Sequence, residues 1–202
     1  MSEAEKTTER SIMEDIDLIN AFKAGDKTAF DALVIRHKDM VFNLCYRFLG
    51  DLQDANDAAQ DVFIKAFKAL KRFRFESSFS TWIYRIGVNT CKNKVKSAEH
   101  RYREQTTSLD NPGPGRDGDP PMEMADESPS PTVALESKER SMIIQKAIHS
   151  LPKGKKKMII LRDMEGLSYD EIMNITGFNL GTVKSKIARA RSDLRGMLRG
   201  VL

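Results

Sequence analysis

Apolar residues recur every three or four positions through much of the first hundred residues, which is the spacing of one buried helix face. The stretches 15–25, 26–50 and 51–73 each carry such a stripe, and Gly25 and Gly50 follow the first two. Glycine is common just beyond a helix end because it adopts a left-handed backbone without strain. We therefore expect three amphipathic helices. Their stripes contain Ile16, Ile19, Ala21, Phe22, Phe30, Leu33, Val34, Val41, Leu44, Cys45, Phe48, Ala59, Phe63, Ala66, Phe67 and Leu70.

The C-terminal third shows the same periodicity with clearer helix boundaries. One apolar helix is expected to end before Pro152, and the next is stopped by Gly166. Ser168, followed three residues later by Glu171, predicts a capping box and therefore a helix start at Ser168. A glycine at position 177 then suits a turn with a positive φ angle.

The helix expected after this turn has two different faces. Its buried stripe is Val183, Ile187, Ala190, Leu194 and Leu198, and its opposite face is Thr182, Ser185, Ala188, Arg189 and Ser192. Two helices joined by a tight turn, the second with a small, hydroxylated and basic face, indicate a helix-turn-helix that inserts into the DNA major groove. The alternative is a solvated basic helix in a bundle. The capping box, the turn glycine and the small-residue face, occurring together, argue against it.

The pattern predicts an all-α fold of two small helical domains joined by an extended acidic linker, the C-terminal domain carrying the helix-turn-helix. We place the first domain at 15–103, the linker at 104–131 and the second domain at 132–202. The linker is rich in Pro, Gly, Asp and Ser and has no periodicity, so it buries too little apolar surface to order itself.

Charge is segregated along the chain, although the net charge of the 202 residues is only +4. From Leu151 to the end, eleven basic and five acidic residues give +6. From Glu104 to Glu139, two basic and nine acidic residues give −7. A basic C-terminal domain indicates a polyanionic partner, and the acidic tract before it would avoid or imitate that polyanion.

Residues 73–103 form a second basic stretch, read as a helix from Thr81 onward. Arg85, Asn89, Lys92, Lys96 and Arg103 share a narrow arc of that helix. The preceding loop, RFRFESSFS, interleaves phenylalanine with arginine and serine, as a site for single-stranded nucleic acid would. Whether the loop phenylalanines stack on bases or fill the core stays open, and for Trp82 we expect core packing.

The helix over 51–73 carries acids early and lysines late on its polar face. Asp54, Asp57 and Asp61 come first and Lys65 and Lys68 follow. Because this order complements the helix dipole, it has a sufficient structural reason, and a functional role is an open alternative.

Other features exclude several classes of protein. The polar N-terminus MSEAEKTTER predicts no secretory signal, and no apolar run is long enough to span a bilayer, so we expect a cytoplasmic protein without direct membrane insertion. Cys45 and Cys91 lie in apolar patterns and are expected to be buried free thiols. The three histidines are scattered, and we expect no catalytic centre, no metal site and no cofactor.

Three blocks in order, DANDAAQDVFIKAFKAL, FSTWIYRIGVNTCKNKVKS and LPKGKKKMIILRDMEGLSYDEIMNITGFNLGTVKSKIARARSDLR, resemble bacterial sigma factors of the extracytoplasmic-function (ECF) type. The resemblance runs from about Asp17 to Leu198. It implies a non-enzymatic subunit that binds core RNA polymerase through the clamp helices and flap, and that selects promoter DNA. It also implies a membrane-linked anti-sigma factor as partner, and a linker that threads the polymerase cleft.

The resemblance further implies three groups of site residues. The polymerase contacts are Asp54, Asp57, Gln60, Asp61 and Ile64. The contacts to the melted −10 strand are Phe73, Arg74, Phe75, Ser78, Phe79, Arg85, Asn89, Lys92, Asn93 and Lys96. The contacts to the −35 duplex are Thr182, Lys184, Ser185, Lys186, Arg189 and Arg191. Ala188 and Lys186 depart from residues common in relatives, which leaves the −35 sequence open.

Three other functions compete with this interpretation. An autonomous helix-turn-helix regulator would share the C-terminal motif, although the strand-like apolar runs of a response-regulator receiver domain are missing near the N-terminus. An enzyme such as a recombinase would need a catalytic constellation, which the sequence does not display. A helical adaptor that binds only protein would not require the basic C-terminal domain or the basic stripe after Thr81.

Overall fold

The computed structural model describes the backbone of residues 3–106 and 131–199, and the side chains of residues 12–97 and 140–199. Every regular element within these ranges is helical. The described residues form two compact units, one built from the N-terminal helices and the other mainly from the C-terminal ones. The expected all-α architecture is therefore confirmed, whereas the linker itself lies outside the described residues apart from its helical ends.

Four helices build the first unit: α1 (Glu3–Ala24), α2 (Thr28–Leu49), α3 (Leu52–Leu70) and α4 (Phe79–Thr106). Helix α1 begins well before the expected start because the stretch ahead of it, although polar, consists largely of good helix formers such as Glu, Ala, Lys and Arg. Helix α4 begins two residues before Thr81 and extends into the range assigned to the linker.

The core of the first unit lies between the inner faces of these helices, α2 being packed against both α3 and α4. Leu33, Leu44, Leu70 and Ile83 are among its fully buried side chains. A Cβ atom at Gly87 would lie 2.7 Å from Leu44 Cδ2, so glycine at this position lets α2 and α4 approach closely.

Both cysteines of the first unit are buried and free, as expected. Cys45 of α2 and Cys91 of α4 form a hydrogen-bonded thiol pair that the sequence pattern did not predict. The hydrogen bond with Cys45, together with burial, raises the pKa of Cys91 well above that of an ordinary thiol. These thiols therefore behave as small core side chains.

A contact between a buried carboxylate and a buried imidazole joins α1 to α2 in the first unit. Asp15 and His37 are both buried, and His37 Nε2 lies 2.9 Å from Asp15 Oδ2. Arg36 Nε lies 3.1 Å from the other carboxylate oxygen, and the His37 ring packs on Phe79 with 5.0 Å between centroids. The start of α4 is thereby fixed against the first two helices.

The second unit contains α5 (Pro131–Ser150), α6 (Lys153–Ile159), α7 (Tyr169–Thr176) and α8 (Leu180–Leu198). A single π-helical turn, Ile160–Met164, continues α6. The four consecutive side chains from Met158 to Leu161 are all buried, a pattern that one face of a regular α-helix does not accommodate.

No helix among the described residues is both long enough and apolar enough to span a membrane.

Candidate nucleic-acid interface

Local capping fixes the geometry of the helix-turn-helix. The Ser168 hydroxyl accepts from Glu171 N at 3.2 Å, and Ser168 N donates to the Glu171 carboxylate at 2.8 Å, so the predicted capping box is confirmed. Gly177 has φ +72° and its N–H donates to Met173 O, which ends α7. Asn179 Oδ1 then accepts from Thr182 N at 2.8 Å and starts α8.

Helix α8 buries one stripe and exposes another. Val183, Ile187 and Ala190 are buried in the second unit. On the opposite side Ser185 and Arg189 are exposed, Thr182 is half-buried, and the Ser185 hydroxyl donates to Thr182 O at 3.1 Å. Among the described residues, Arg189 has no hydrogen-bonding or ion-pair partner, so its guanidinium can reach a partner outside the protein.

The two lysines expected at the −35 duplex lie over aromatic rings. Lys184 Nζ is 5.7 Å from the ring centroid of Tyr169, and Lys186 Nζ is 5.2 Å from that of Phe178. Lys157 Nζ lies 5.0 Å from the Phe178 ring as well. Such contacts restrict a flexible ammonium group without neutralising it. Neither ring was among the predicted site residues, although Tyr169 and Phe178 stand close to the turn in the sequence.

Arg191 is held by an acidic residue of the π-helical turn. Its Nε donates to Asp163 Oδ2 at 3.1 Å and its Nη2 donates to Asp163 Oδ1. The hydrogen bond and the negative charge of Asp163 raise the pKa of Arg191. Of the two exposed arginines of the predicted −35 set, Arg191 therefore has an internal partner, and Arg189 has none among the described residues.

Helix α4 presents its basic stripe to solvent. The predicted −10 residues Arg85, Asn89, Lys92, Asn93 and Lys96 are all exposed. Four of them are spaced by four, three and four residues, so they share one face. The structure thus keeps them together on a single exposed surface of the first unit.

The loop before α4 divides its three phenylalanines between core and surface. Phe73 and Phe79 are buried and pack against Trp82, with ring centroids 5.1 and 5.8 Å away. Phe75 is 40% exposed. Contacts to the −10 strand were expected of all three phenylalanines. Because Phe73 and Phe79 fill the core, only Phe75 of the three remains a candidate. Trp82 is buried, in line with expectation.

Phe75 has a backbone conformation that is rare for a bulky residue, with φ +58°. Its ring meets Phe73 edge-on at 5.0 Å, and Lys23 Nζ lies 4.3 Å from its centroid. The same ammonium donates to Phe73 O. These contacts hold an exposed aromatic ring in a strained conformation, which is typical of functional sites.

The polar loop residues have different roles. The Ser78 hydroxyl accepts from Thr81 N at 3.1 Å and lies 2.9 Å from Thr81 Oγ1, so it caps α4. A base contact was expected of Ser78, but its hydroxyl is engaged in this cap. The Arg74 side chain is 83% exposed. Its Nη1 lies 3.9 Å from Glu76 Oε1, which is too long for a hydrogen bond.

The acidic face of α3 is partly tied to α4. Lys94 Nζ lies 3.1 Å from Asp54 Oδ1 and 3.3 Å from Asp57 Oδ2. Partial burial would lower the pKa of Lys94, but the two carboxylates outweigh it and raise that pKa. Lys65 Nζ also donates to Thr90 Oγ1 at 2.9 Å. These contacts stabilise the packing of α3 on α4.

The remaining residues predicted for polymerase contact are on the open surface of α3. Gln60 and Asp61 are exposed, and Ile64 is 51% exposed. Phe67, expected in the buried stripe, is 40% exposed, although its ring packs edge-on against Phe22 and Phe30. Positions 60, 64 and 67 share one helix face, so the exposed apolar area of Ile64 and Phe67 lies beside the carboxylate of Asp61. The helical periodicity had placed Phe67 in the core, so this patch was not predicted.

Comparison with known proteins identifies both units. Residues 33–101 match the family model for Sigma-70 region 2, and residues 141–194 match that for Sigma-70, region 4. The RNA polymerase sigma-H factor of Pseudomonas aeruginosa is 35% identical over 189 residues, covering 94% of this chain and 96% of the relative. The ECF RNA polymerase sigma-E factor of Haemophilus influenzae is 35% identical over 199 residues, covering 98% and 100%.

A solved structure shares the fold. The sigma factor RpoE of Bartonella quintana, solved in complex with the anti-sigma factor NepR, matches with a TM-score of 0.64 and 20% identity, covering 85% of this chain and 97% of that one. With region 2 and region 4 both present and relatives matched along nearly their whole length, the chain belongs to the ECF group of the sigma-70 family and acts with RNA polymerase in promoter-specific transcription initiation.

Proposed function

We propose that the two units divide promoter recognition between them, α8 binding the −35 duplex and the α4 stripe with Phe75 binding the melted −10 strand. The observation that carries this proposal is the exposed, strained Phe75 ring at one end of an exposed basic helix face. A protein that only docks on duplex DNA needs no such ring. The rival function of an autonomous helix-turn-helix regulator has no comparable observation in its favour.

At the −35 element, Arg189 reads a base and the other cations bind the backbone. Arg189 projects from the small-residue face without an internal partner, and guanidinium forms a bidentate pair with guanine. Lys184, Lys186 and Arg191 are held by rings or by a carboxylate, which suits phosphate contacts that need charge more than reach. Thr182 and Ser185 allow the helix backbone to approach the groove.

At the −10 element, Phe75 stacks on an unpaired base while Arg74, Asn89 and Lys92 bind the strand beside it. Unstacking a base costs a few kcal/mol, which stacking on an aromatic ring offsets by about 1–3 kcal/mol. Phe73 and Phe79 support the loop from beneath, and Ser78 fixes where α4 begins. Arg85, Asn93 and Lys96 extend the same exposed face along α4.

The polymerase surface is the exposed face of α3. Gln60, Asp61, Ile64 and Phe67 combine an acid with apolar area, the composition of a docking patch for a basic helical partner such as the clamp helices. Asp54 and Asp57 keep part of their surface exposed while bound to Lys94, so they contribute at its edge. The second unit binds the flap.

The remaining parts of the proposal follow the family. The protein works in the cytoplasm by binding and has no catalytic activity of its own. Its acidic linker threads the polymerase cleft. An anti-sigma factor holds it inactive, as supported by the Bartonella quintana relative, whose structure contains the anti-sigma factor NepR.

The −10 assignment is tested with the holoenzyme on a promoter mapped from start sites after overexpression. Phe75→Gly removes the ring, and glycine adopts a positive φ angle without strain, so we expect the fold to stay intact. We expect core and −35 binding to be unchanged, and permanganate reactivity of the −10 thymines to fall about tenfold, because one stacking contact is lost. Glu76→Ala, in the same loop, is the matched control. Normal reactivity of Phe75→Gly would refute the assignment.

A further inference from the structure

Asp163 lies in the most unusual element of the second unit, the π-helical turn Ile160–Met164. Glu165 N donates to Ile160 O at 2.9 Å, and Leu167 N donates to Leu161 O at 3.1 Å, which closes the widened turn. Single π-turns within α-helices occur frequently at functional sites. This turn directs the Asp163 carboxylate toward Arg191 of α8.

The neighbouring residue anchors the turn independently. Arg162 Nη1 donates to Leu167 O at 2.6 Å, and its guanidinium lies 4.8 Å from the ring centroid of Tyr169. The buried side chains of Ile160 and Leu161 hold its other side. The backbone from which Asp163 projects is therefore held by contacts that do not involve Arg191.

The fork between Asp163 and Arg191 leaves part of the guanidinium unused. A guanidinium has five N–H donors. The carboxylate takes Nε–H and one Nη2–H, so both Nη1–H donors and the second Nη2–H stay available. The Arg191 side chain is 47% exposed, and these donors can therefore meet an oxyanion from outside.

We propose that Asp163 is a positioning residue for promoter binding, which holds Arg191 in the orientation that binds a phosphate of the −35 duplex. The inference rests on the proposed function, in which Arg191 contacts that backbone. An arginine ordered before binding loses less side-chain entropy on binding, which increases affinity. Positioning and simple charge predict opposite effects of removing this carboxylate, because a negative charge near DNA otherwise only repels it.

The test measures the affinity of the holoenzyme for one mapped promoter across a salt series. Asp163→Asn is expected to weaken binding about two- to tenfold, the factor for one side chain that must be ordered on binding. Arg191→Ala should weaken it at least as much and reduce the salt slope by about 1. In the Arg191→Ala background, Asp163→Asn should no longer weaken binding, and in the wild-type background Asp163→Glu should recover part of the loss of Asp163→Asn.

Two controls separate positioning from charge and from general ion-pair loss. Asp170→Asn removes an exposed acid of α7, and Asp193→Asn breaks the pair that Asp193 forms with Lys155. Neither should weaken promoter binding. Should Asp163→Asn reduce helicity, Arg191→Lys provides the second probe, since lysine keeps the charge but cannot form the fork, and it should lose a similar factor.

Each outcome bears on one claim. If Asp163→Asn binds as tightly as the wild type or more tightly, Asp163 does not position Arg191 and the inference is wrong. If Arg191→Ala has no effect on affinity or salt slope, the proposed −35 contact of Arg191 is itself wrong, and the positioning role is overturned with it.

Discussion

Arg189 and Arg191, two residues apart on α8, illustrate how the surroundings of a side chain distinguish roles that composition does not. Asp163 binds Arg191, whereas Arg189 has no internal partner among the described residues. A guanidinium that reads a base must be free to align with the base edge, and one that binds phosphate benefits from being fixed. The structure thereby favours Arg189 as the base-reading arginine.

Arg189→Ala is expected to cost about 1–3 kcal/mol in promoter binding and to relax preference at one −35 base pair, because a bidentate base contact is lost. Lys184→Ala should weaken binding to all sequences alike. Holoenzyme competition across single-base variants of the −35 element measures both effects. If Arg189→Ala leaves affinity and preference unchanged, α8 does not read bases through this residue.

The phenylalanines of the loop mark the limit of sequence reasoning at this scale. The pattern showed three aromatic residues between arginines and serines, but burial depends on residues distant along the chain. Phe79 packs on His37 of α2, and Lys23 of α1 binds the Phe73 carbonyl. No local pattern contains those contacts, so the sequence alone could not separate Phe75 from the two core rings.

The thiol pair allows a direct test of the first unit's core. Cys45 and Cys91 are fully buried in the folded protein. Because burial keeps the reagent from both sulfur atoms, iodoacetamide should modify neither residue in the folded protein and both in urea. Mass spectrometry measures the modification, and a Ser192→Cys variant supplies an exposed reference thiol. Rapid native modification of Cys45 or Cys91 would contradict this packing.

Helix positions were largely predictable because periodicity, caps and turn glycines are local signals. The helix-turn-helix illustrates this, since Ser168, Glu171 and Gly177 adopt the predicted capping and turn geometry. The π-helical turn was not predictable in the same way. It reflects four consecutive buried residues packing in the second unit, and a sequence window reads such a run as an ordinary apolar helix.

The end of α5 should make the second unit sensitive to acid. Burial, with the charge of Lys156, lowers the pKa of His149 to about 4 from an ordinary value of 6.5, and Lys156 Nζ lies 2.9 Å from His149 Nδ1. Between pH 6.5 and pH 4, His149 is therefore protonated in the unfolded chain and largely neutral in the folded chain. Stability should fall as the pH drops from 6.5 toward 4.

Urea unfolding at pH 7 and pH 5 checks this expectation. The loss of unfolding free energy between the two values should be smaller for His149→Gln than for the wild type, because glutamine does not titrate. The effect is modest, since by surface area the His149 side chain is exposed and solvent screens the charge. Equal losses in the two proteins would show that His149 titrates normally in the folded state.

Helix α3 supplies a clean test of the proposed polymerase surface. Asp57 binds Lys94, so reversing its charge would also disturb the packing of α3 on α4. Asp61 is exposed, and Asp61→Lys should change stability by no more than about 0.5 kcal/mol. Asp61→Lys should weaken holoenzyme assembly roughly tenfold or more, because the lysine places a positive charge against a basic partner. Asp39→Lys on α2 is the matched control, and unchanged core binding by Asp61→Lys would refute the assignment.

At the scale of the whole molecule, the sequence alone predicts two helical units and their family. Three motifs in order carried that prediction, and matches to region 2 and region 4 confirm the family. The assignment of single residues to polymerase, −10 strand and −35 duplex stays a prediction. The structure narrows it by removing Phe73 and Phe79 from the surface and by engaging Ser78 in a cap.

This chain gives RNA polymerase its promoter specificity, a role that differs from that of a regulator acting on DNA alone. Run-off transcription with purified core polymerase, on a fragment carrying a mapped start site, tests it most directly. We expect a transcript from that site only when the chain is added to core, with weak binding of the free chain to the same fragment. Tight, site-specific binding by the free chain, without any chain-dependent transcript from core polymerase, would contradict it.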